Sequence, residues 1–362
     1  MKTANTKTAL TENKGVANTQ NVNATAVAHI QNSRKNAPSV STLVNGILNG
    51  DITALSRAIT LIESNNETDF ENAKYLINNC LNNSNKSIRI GITGVPGVGK
   101  STFIESFGSM LTKIGKKVAV LAVDPSSSIS LGSILGDKTR MEDLVKDKNA
   151  FIRPSPSGLN LGGVAQKTRE AIVLCEAAGF DIIIIETVGV GQSETVVHDM
   201  VDFFLLLGLT GAGDELQGIK RGIIEMADAV IINKADGDNL TKATQTQIEM
   251  SSVLHFFVAK KSGWTPKAMT CSAISGHGIS AIWEQILEYV AQTKKNQYFF
   301  ENRQKQNYFW MMETINRQLK AHFFANQEIQ KQLKINTQKL EANAISPFEA
   351  ASDLLENYFK TL

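Results

Sequence analysis

The run Gly94-Val95-Pro96-Gly97-Val98-Gly99-Lys100-Ser101-Thr102 constrains this chain more than any other stretch. It is Gly, four residues, then Gly-Lys-Ser, the spacing of a phosphate-binding loop. The residues before it, Ile88-Arg89-Ile90-Gly91-Ile92-Thr93, alternate and are β-branched, which reads as a strand. Those after it, Thr102-Phe103-Ile104-Glu105-Ser106-Phe107, open a helix. Strand, glycine loop and helix stand in the order the motif needs. The glycines let successive backbone N–H groups curl towards phosphate oxygens. The helix that follows aims its positive end at the same anion. Lys100 brings a full charge to the outer phosphates, and the Ser101 hydroxyl is suited to ligate Mg²⁺.

Further strands read from the sequence at residues 117–124, at 150–154 and in the Ile run ending at Glu186, then at 203–207, 229–232 and 268–271. The uninterrupted apolar runs are those of strands covered on both faces. Helical stretches alternate with them, so the expected fold is α/β: a P-loop NTPase with a mostly parallel, doubly wound sheet. Ligands of such sheets sit at the carboxyl ends of the strands, where Gly94, Asp124, Glu186 and Asn233 all fall. Residues 1–39 carry no apolar period and read as a disordered tail. Residues 40–86 read as an N-terminal helical segment, 87–295 as the P-loop domain and 296–362 as C-terminal helices. Tyr308, Met311, Met312, Ile315 and Leu319 form an apolar stripe at helical spacing. It needs a cover, either from its own chain or, as its length favours, from a second subunit in a homodimer. Ser346-Pro347-Phe348-Glu349 is a capping box that opens a last helix.

Behind the phosphate loop lie the parts of a GTPase. Asp124 ends the second strand, where it holds Mg²⁺ through water or orients the attacking water. Asp137 offers a second metal-directed carboxylate, and Glu186 reaches towards the metal from the end of the Ile strand. The Gly189 N–H can touch the γ-phosphate, so that loss of this phosphate releases the loop. Asn233-Lys234-Ala235-Asp236 follows a strand and reads the base. A carboxylate accepts two N–H bonds from guanine and finds no such pair on adenine. In this arrangement Lys234 lies along the ring and Asn233 braces a neighbouring loop. A backbone N–H of Ser272-Ala273-Ile274 meets the guanine O6. The expected ligands are thus GTP or GDP with Mg²⁺. Val190 directly follows Gly189, where many small GTPases have the glutamine that aligns water, so intrinsic turnover is expected to be slow until a partner stimulates it. Lys220 or Arg221 either supplies transition-state charge or is an ordinary charge at the start of a surface helix.

Composition excludes several classes. The chain has 362 residues, with 37 basic and 35 acidic side chains and a net charge of +2. This gives no electrostatic case for nucleic acid or for an anionic membrane. No apolar run approaches the length of a membrane span, and the polar N-terminus lacks a signal-peptide core, so the expected location is cytoplasmic. Three dispersed cysteines fit a reducing compartment better than a disulfide framework.

Taken together, these motifs resemble the methylmalonyl-CoA mutase-associated GTPases of the MeaB/ArgK type. The resemblance rests on the phosphate loop, Val123-Asp124-Pro125-Ser126-Ser127, Gly136-Asp137-Lys138-Thr139-Arg140-Met141, Glu186-Thr187-Val188-Gly189-Val190-Gly191-Gln192-Ser193-Glu194, Gly213-Asp214-Glu215-Leu216-Gln217-Gly218-Ile219-Lys220 and Asn233-Lys234-Ala235-Asp236. It covers roughly residues 43–323. It implies a homodimeric GTPase chaperone that binds an adenosylcobalamin-dependent mutase, gates its cofactor loading and protects it from inactivation. It also implies that the segment from Gly213 is a third switch and that the helix through Tyr308 is a dimerisation arm. Thr210 stands where proline is expected. Three other readings compete. A nickel-inserting GTPase needs Cys/His ligands, and the five histidines form no ligand-spaced set with cysteine. A transport-protein kinase needs an acceptor site and a catalytic base that the sequence does not supply. A pure interaction module would bind GTP without turning it over.

Overall fold

The computed structural model of the chain describes residues 38–64, 66–84, 86–123, 141–154, 161–187, 193–210 and 221–360. Its centre is a seven-stranded sheet of β1 (Ile88–Gly94), β2 (Val118–Val123), β3 (Ala150–Arg153), β4 (Ile182–Thr187), β5 (Phe203–Gly208), β6 (Ala229–Ile232) and β7 (Lys267–Thr270). The spatial order is β3-β2-β4-β1-β5-β6-β7. Every neighbouring pair is parallel. The order reverses direction at β1, which places the phosphate loop at a topological switch point.

The Ile run shows why both faces must be covered. Side chains alternate along a strand. Ile183 and Ile185 enter one core with the helices α1 (Val40–Leu48), α2 (Ile52–Glu63), α3 (Glu67–Cys80) and α5 (Leu161–Ala177). Ile182 and Ile184 enter the other, with α4 (Lys100–Lys113) and α9 (Ile279–Lys295). The first face also receives α6 (Ser193–His198), α7 (Arg221–Met226) and α8 (Leu240–His255). Local signals start the helices. Asp51 caps α2 by accepting from the Thr53 N–H at 2.7 Å, and Ser346 caps α12 (Pro347–Lys360) through the Glu349 N–H at 3.1 Å.

Past the sheet, α10 (Tyr298–Ala325) is a single helix of 28 residues, about 42 Å long. Tyr298, Phe299 and Phe300 form its first turn. Its root is fixed by a buried ionic network. Arg303 donates to both carboxylate oxygens of Asp202, at 2.8 and 2.7 Å, and to the Ser87 carbonyl at 2.7 Å. Arg89 pairs with Glu176 through bonds of 2.9 and 3.0 Å. Further along, Tyr308, Met311, Ile315 and Leu319 are exposed, Leu319 by 59%.

Helix α3 runs from Glu67 within the stretch read as the N-terminal helical segment. Within the stretch read as C-terminal helices, α11 (Gln327–Glu341) packs Ile329 against Leu354 and Tyr358 of α12. Among the described residues no helix is long and apolar enough to cross a membrane.

Candidate nucleotide site

The phosphate loop connects β1 to α4, and buried Val98 pins it into the second core. Gly99 is the residue before the helix, with φ +91°, a left-handed conformation that side chains resist. A Cβ there would also lie 2.9 Å from the Asn233 amide nitrogen. Lys100, the first residue of α4, folds its ammonium back to the Gly94 carbonyl at 2.7 Å. Ser101 follows it, partly buried, and Thr102 is exposed. Gly97 and Pro96 form the exposed crest of the loop, with Val95 half-buried beneath.

The base-reading segment is bonded directly to this loop. Asn233, 1% exposed, donates its side-chain amide to the Val98 carbonyl at 2.9 Å. Its Oδ1 accepts from the Ala273 N–H at 3.2 Å and from the Cys271 thiol at 3.3 Å. One asparagine therefore joins the phosphate loop to the loop that follows β7. Lys234 adopts a left-handed φ of 59° and donates its ammonium to the Gly97 carbonyl at 2.8 Å. Asp236 is exposed, and the Ser272 hydroxyl donates to one of its oxygens, which orients the carboxylate. The Ser272 N–H is bonded to the His277 carbonyl at 3.0 Å, and exposed Ile274 follows Ala273. Burial pushes the neighbouring Cys271 thiol up to about 12, with Asp236 adding to the rise.

At the end of β4, Glu186 is 3% exposed. The next residue, Thr187, bonds its hydroxyl to that of Thr93 on β1 at 2.9 Å, holding the two strand ends together. Asp124, Asp137, Gly189 and Lys220 lie outside the described residues. Arg221 opens α7 and stacks over the Phe257 ring, 5.8 Å from its centroid. Asn239, which sequence reasoning missed, accepts from the Thr210 hydroxyl at 2.8 Å and donates to the Lys234 carbonyl at 2.7 Å. A proline at 210 would have no hydroxyl for this bridge. The only signal for Asn239 was its position, three residues beyond Asp236.

A family profile described as methylmalonyl Co-A mutase-associated GTPase MeaB matches residues 55–328. The chain belongs to this family of GTPases. As a MeaB-family GTPase it binds guanine nucleotide and hydrolyses GTP. The mouse methylmalonic aciduria type A homolog, mitochondrial, is 46% identical, covering 96% of this chain and 86% of that protein. The Escherichia coli protein named GTPase ArgK is 41% identical, covering 89% and 97%. A crystal structure titled LAO/AO transport system kinase has a TM-score of 0.70 and 36% identity, covering 88% of this MeaB-family chain and 97% of its own.

Proposed function

We propose that this GTPase is a homodimeric chaperone of an adenosylcobalamin-dependent acyl-CoA mutase, methylmalonyl-CoA mutase first among them. It gates cofactor loading and protects the mutase from inactivation. One observation carries the reading: a family profile named for association with that mutase runs from α2 through the sheet and the base reader to the end of α10. The methylmalonic aciduria names of the animal relatives support it.

In this reading the triphosphate lies on the backbone of Gly94 to Thr102 with Lys100 at the outer phosphates. Asp236 reads the guanine edge, Lys234 lies along the ring, and an amide of the Ser272-Ala273-Ile274 loop meets O6. Mg²⁺ is held by Ser101 with Asp124, Asp137 and Glu186. The described donors in this set, Ser101 and Glu186, bind through oxygen, which suits a hard cation. The metal supplies charge neutralisation at the phosphates. Lys220 or Arg221 supplies transition-state charge, hydrolysis frees the Gly189 loop, and the segment from Gly213 carries the nucleotide state to the mutase. The exposed stripe of α10 covers its counterpart on a second subunit.

The test is a pull-down from cell extract with GDP or a non-hydrolysable GTP analogue bound, followed by phosphate release with and without the purified mutase. Recovery of a cobalamin enzyme in one nucleotide state and faster release in its presence are expected. Recovery in neither state would end the chaperone reading. Asp236→Ala should lower the preference for GTP over ATP by about 100-fold, the worth of two charge-assisted bonds. Equal selectivity would remove Asp236 from the base site. The name of the solved relative favours one second reading, a kinase, and radiolabel moving from GTP to a protein instead of to free phosphate would establish it.

A further inference from the structure

At the opposite end of β1 from the phosphate loop lies a cavity of about 220 Å³, enclosed by α5, α10, the end of α3 and the residues after α6. By liquid volume it has room for about seven water-sized groups. Leu81, Ile172, Met200 and Trp310 give it largely apolar walls. Two of its lining side chains are more than nine-tenths buried and carry a buried atom with no hydrogen-bond partner among the described residues: the Arg169 Nε donor and the Gln306 Oε1 acceptor. The Gln306 amide cannot relieve this by turning over, because its Nε2 already donates to the Val201 carbonyl at 2.7 Å.

The two arginines at the cavity are paired differently. Arg89 lines it too, but Glu176 neutralises that cation through two bonds. Among the described residues, Arg169 makes no ion pair within 4 Å; its guanidinium sits over the Phe309 ring, 5.3 Å from the centroid. Asp199, at the wall and bonded to His198 at 3.2 Å, and Glu313 act on Arg169 only at longer range. A buried guanidinium with an unused donor in a largely apolar chamber calls for an anion small enough to fit, with a hydrocarbon part. The Gln306 Oε1, an acceptor, takes nothing from such an anion and is left for a water beside it.

We propose that this cavity binds a short aliphatic carboxylate of about three to five carbons, its oxygens on Arg169 and its chain against Ile172, Met200 and Trp310. Inorganic phosphate fits poorly, since the apolar walls would leave most oxygens of a tetrahedral dianion unpaired. Asp199 follows α6, so the site adjoins the C-terminal end of that helix and the root of α10. The inference does not depend on the chaperone reading.

Calorimetry on the full chain with GDP bound tests it, using butyrate, butyramide and inorganic phosphate as probes. Butyrate should bind one site at least about tenfold more tightly than butyramide, the difference one charge-assisted bond makes, and phosphate should not bind. Arg169→Gln should abolish the butyrate heat while GDP affinity is kept, and Asp199→Asn should strengthen it. If Arg169→Gln does not fold, crystals of the unaltered protein soaked in 3-bromopropionate decide the matter through a bromine anomalous peak inside the cavity. Equal binding of butyrate and butyramide, an unaffected Arg169→Gln chain, or a cavity holding water alone would overturn the proposal.

Discussion

The Thr210 hydroxyl and the Asn239 side chain are bonded at 2.8 Å, and Asn239 passes the connection on to the Lys234 carbonyl at 2.7 Å. Thr210 is the last described residue before the segment beginning at Gly211, and Lys234 holds a left-handed φ that few non-glycine residues adopt. The bridge thus clamps a strained residue of the base reader to the entrance of the next loop. Asn239→Ala should weaken GDP binding by about 1 kcal/mol, roughly fivefold, and Thr210→Val by a smaller amount in the same direction. Titration with a fluorescent GDP analogue measures both. Unchanged affinity in the two variants would show that Lys234 keeps its conformation without the clamp.

Two glycines of the phosphate loop separate strain from collision. Gly97 and Gly99 both have positive φ, +80° and +91°, but a Cβ at Gly97 meets nothing within 4 Å, whereas at Gly99 it meets the Asn233 amide. Gly97→Ala should cost about 1 kcal/mol of stability from backbone strain alone. Gly99→Ala should cost more, about 2–3 kcal/mol, because it also displaces the Asn233 to Val98 bond. Urea unfolding compares them, and equal losses would contradict the collision.

Burial alone would pull the Arg303 pKa down, but Asp202 beside it and Glu176 beyond more than offset this and hold it raised. Removing the cation would leave Asp202, whose side chain is 1% exposed, without its ion-pair partner, although its Oδ2 still accepts from the Arg89 N–H at 2.8 Å. Arg303→Ala should therefore lower unfolding stability by about 3–5 kcal/mol. A loss below about 1 kcal/mol in denaturant titration would mean that the network adjusts around the gap.

The three cysteines set a limit at high pH. Burial raises Cys80 from the ordinary 9.0 to about 11 and Cys271 to about 12, and it raises Cys175 as well. A thiol whose pKa is raised by folding contributes its full stability below pH 9, where both states keep the proton. Above pH 9 the unfolded chain ionises first, so stability falls as pH climbs towards 11–12. Each thiol contributes up to about 1.4 kcal/mol per pH unit to this fall. Urea midpoints from pH 8 to 10.5 should show the fall, and a chain with all three cysteines changed to alanine should show a shallower one. Ellman's reagent at pH 8 should find no fast thiol in the native protein and three after unfolding.

The parts of the fold legible in the sequence were those with a local signature. The phosphate loop, the strand–loop–helix around it, the Ile run and the Asn233 segment are each fixed by residues within one short stretch. Asn233 could be read as a brace because its motif sits after a strand, although the loop it reaches is 135 residues away. The ionic root of α10 was not legible. Arg89 looks like one polar position in an alternating strand, and its partner Glu176 is 87 residues further on. Arg303 meets Asp202 across 101 residues, and only the completed sheet brings them together. The bounds of α11 were not legible because it is rich in Gln and Lys and, of its apolar residues, only Ile329 is fully buried.

Strand β1 carries the phosphate loop at one end, while the residue preceding its other end, Ser87, accepts a bond from Arg303 of the long helix. Seven residues of extended chain separate the two, about 23 Å of backbone hydrogen-bonded on both edges and so unable to stretch or slip. A torque applied anywhere along α10 has its fulcrum at Arg303, against the same stiff rod whose far end is Gly94, the first residue of the phosphate loop.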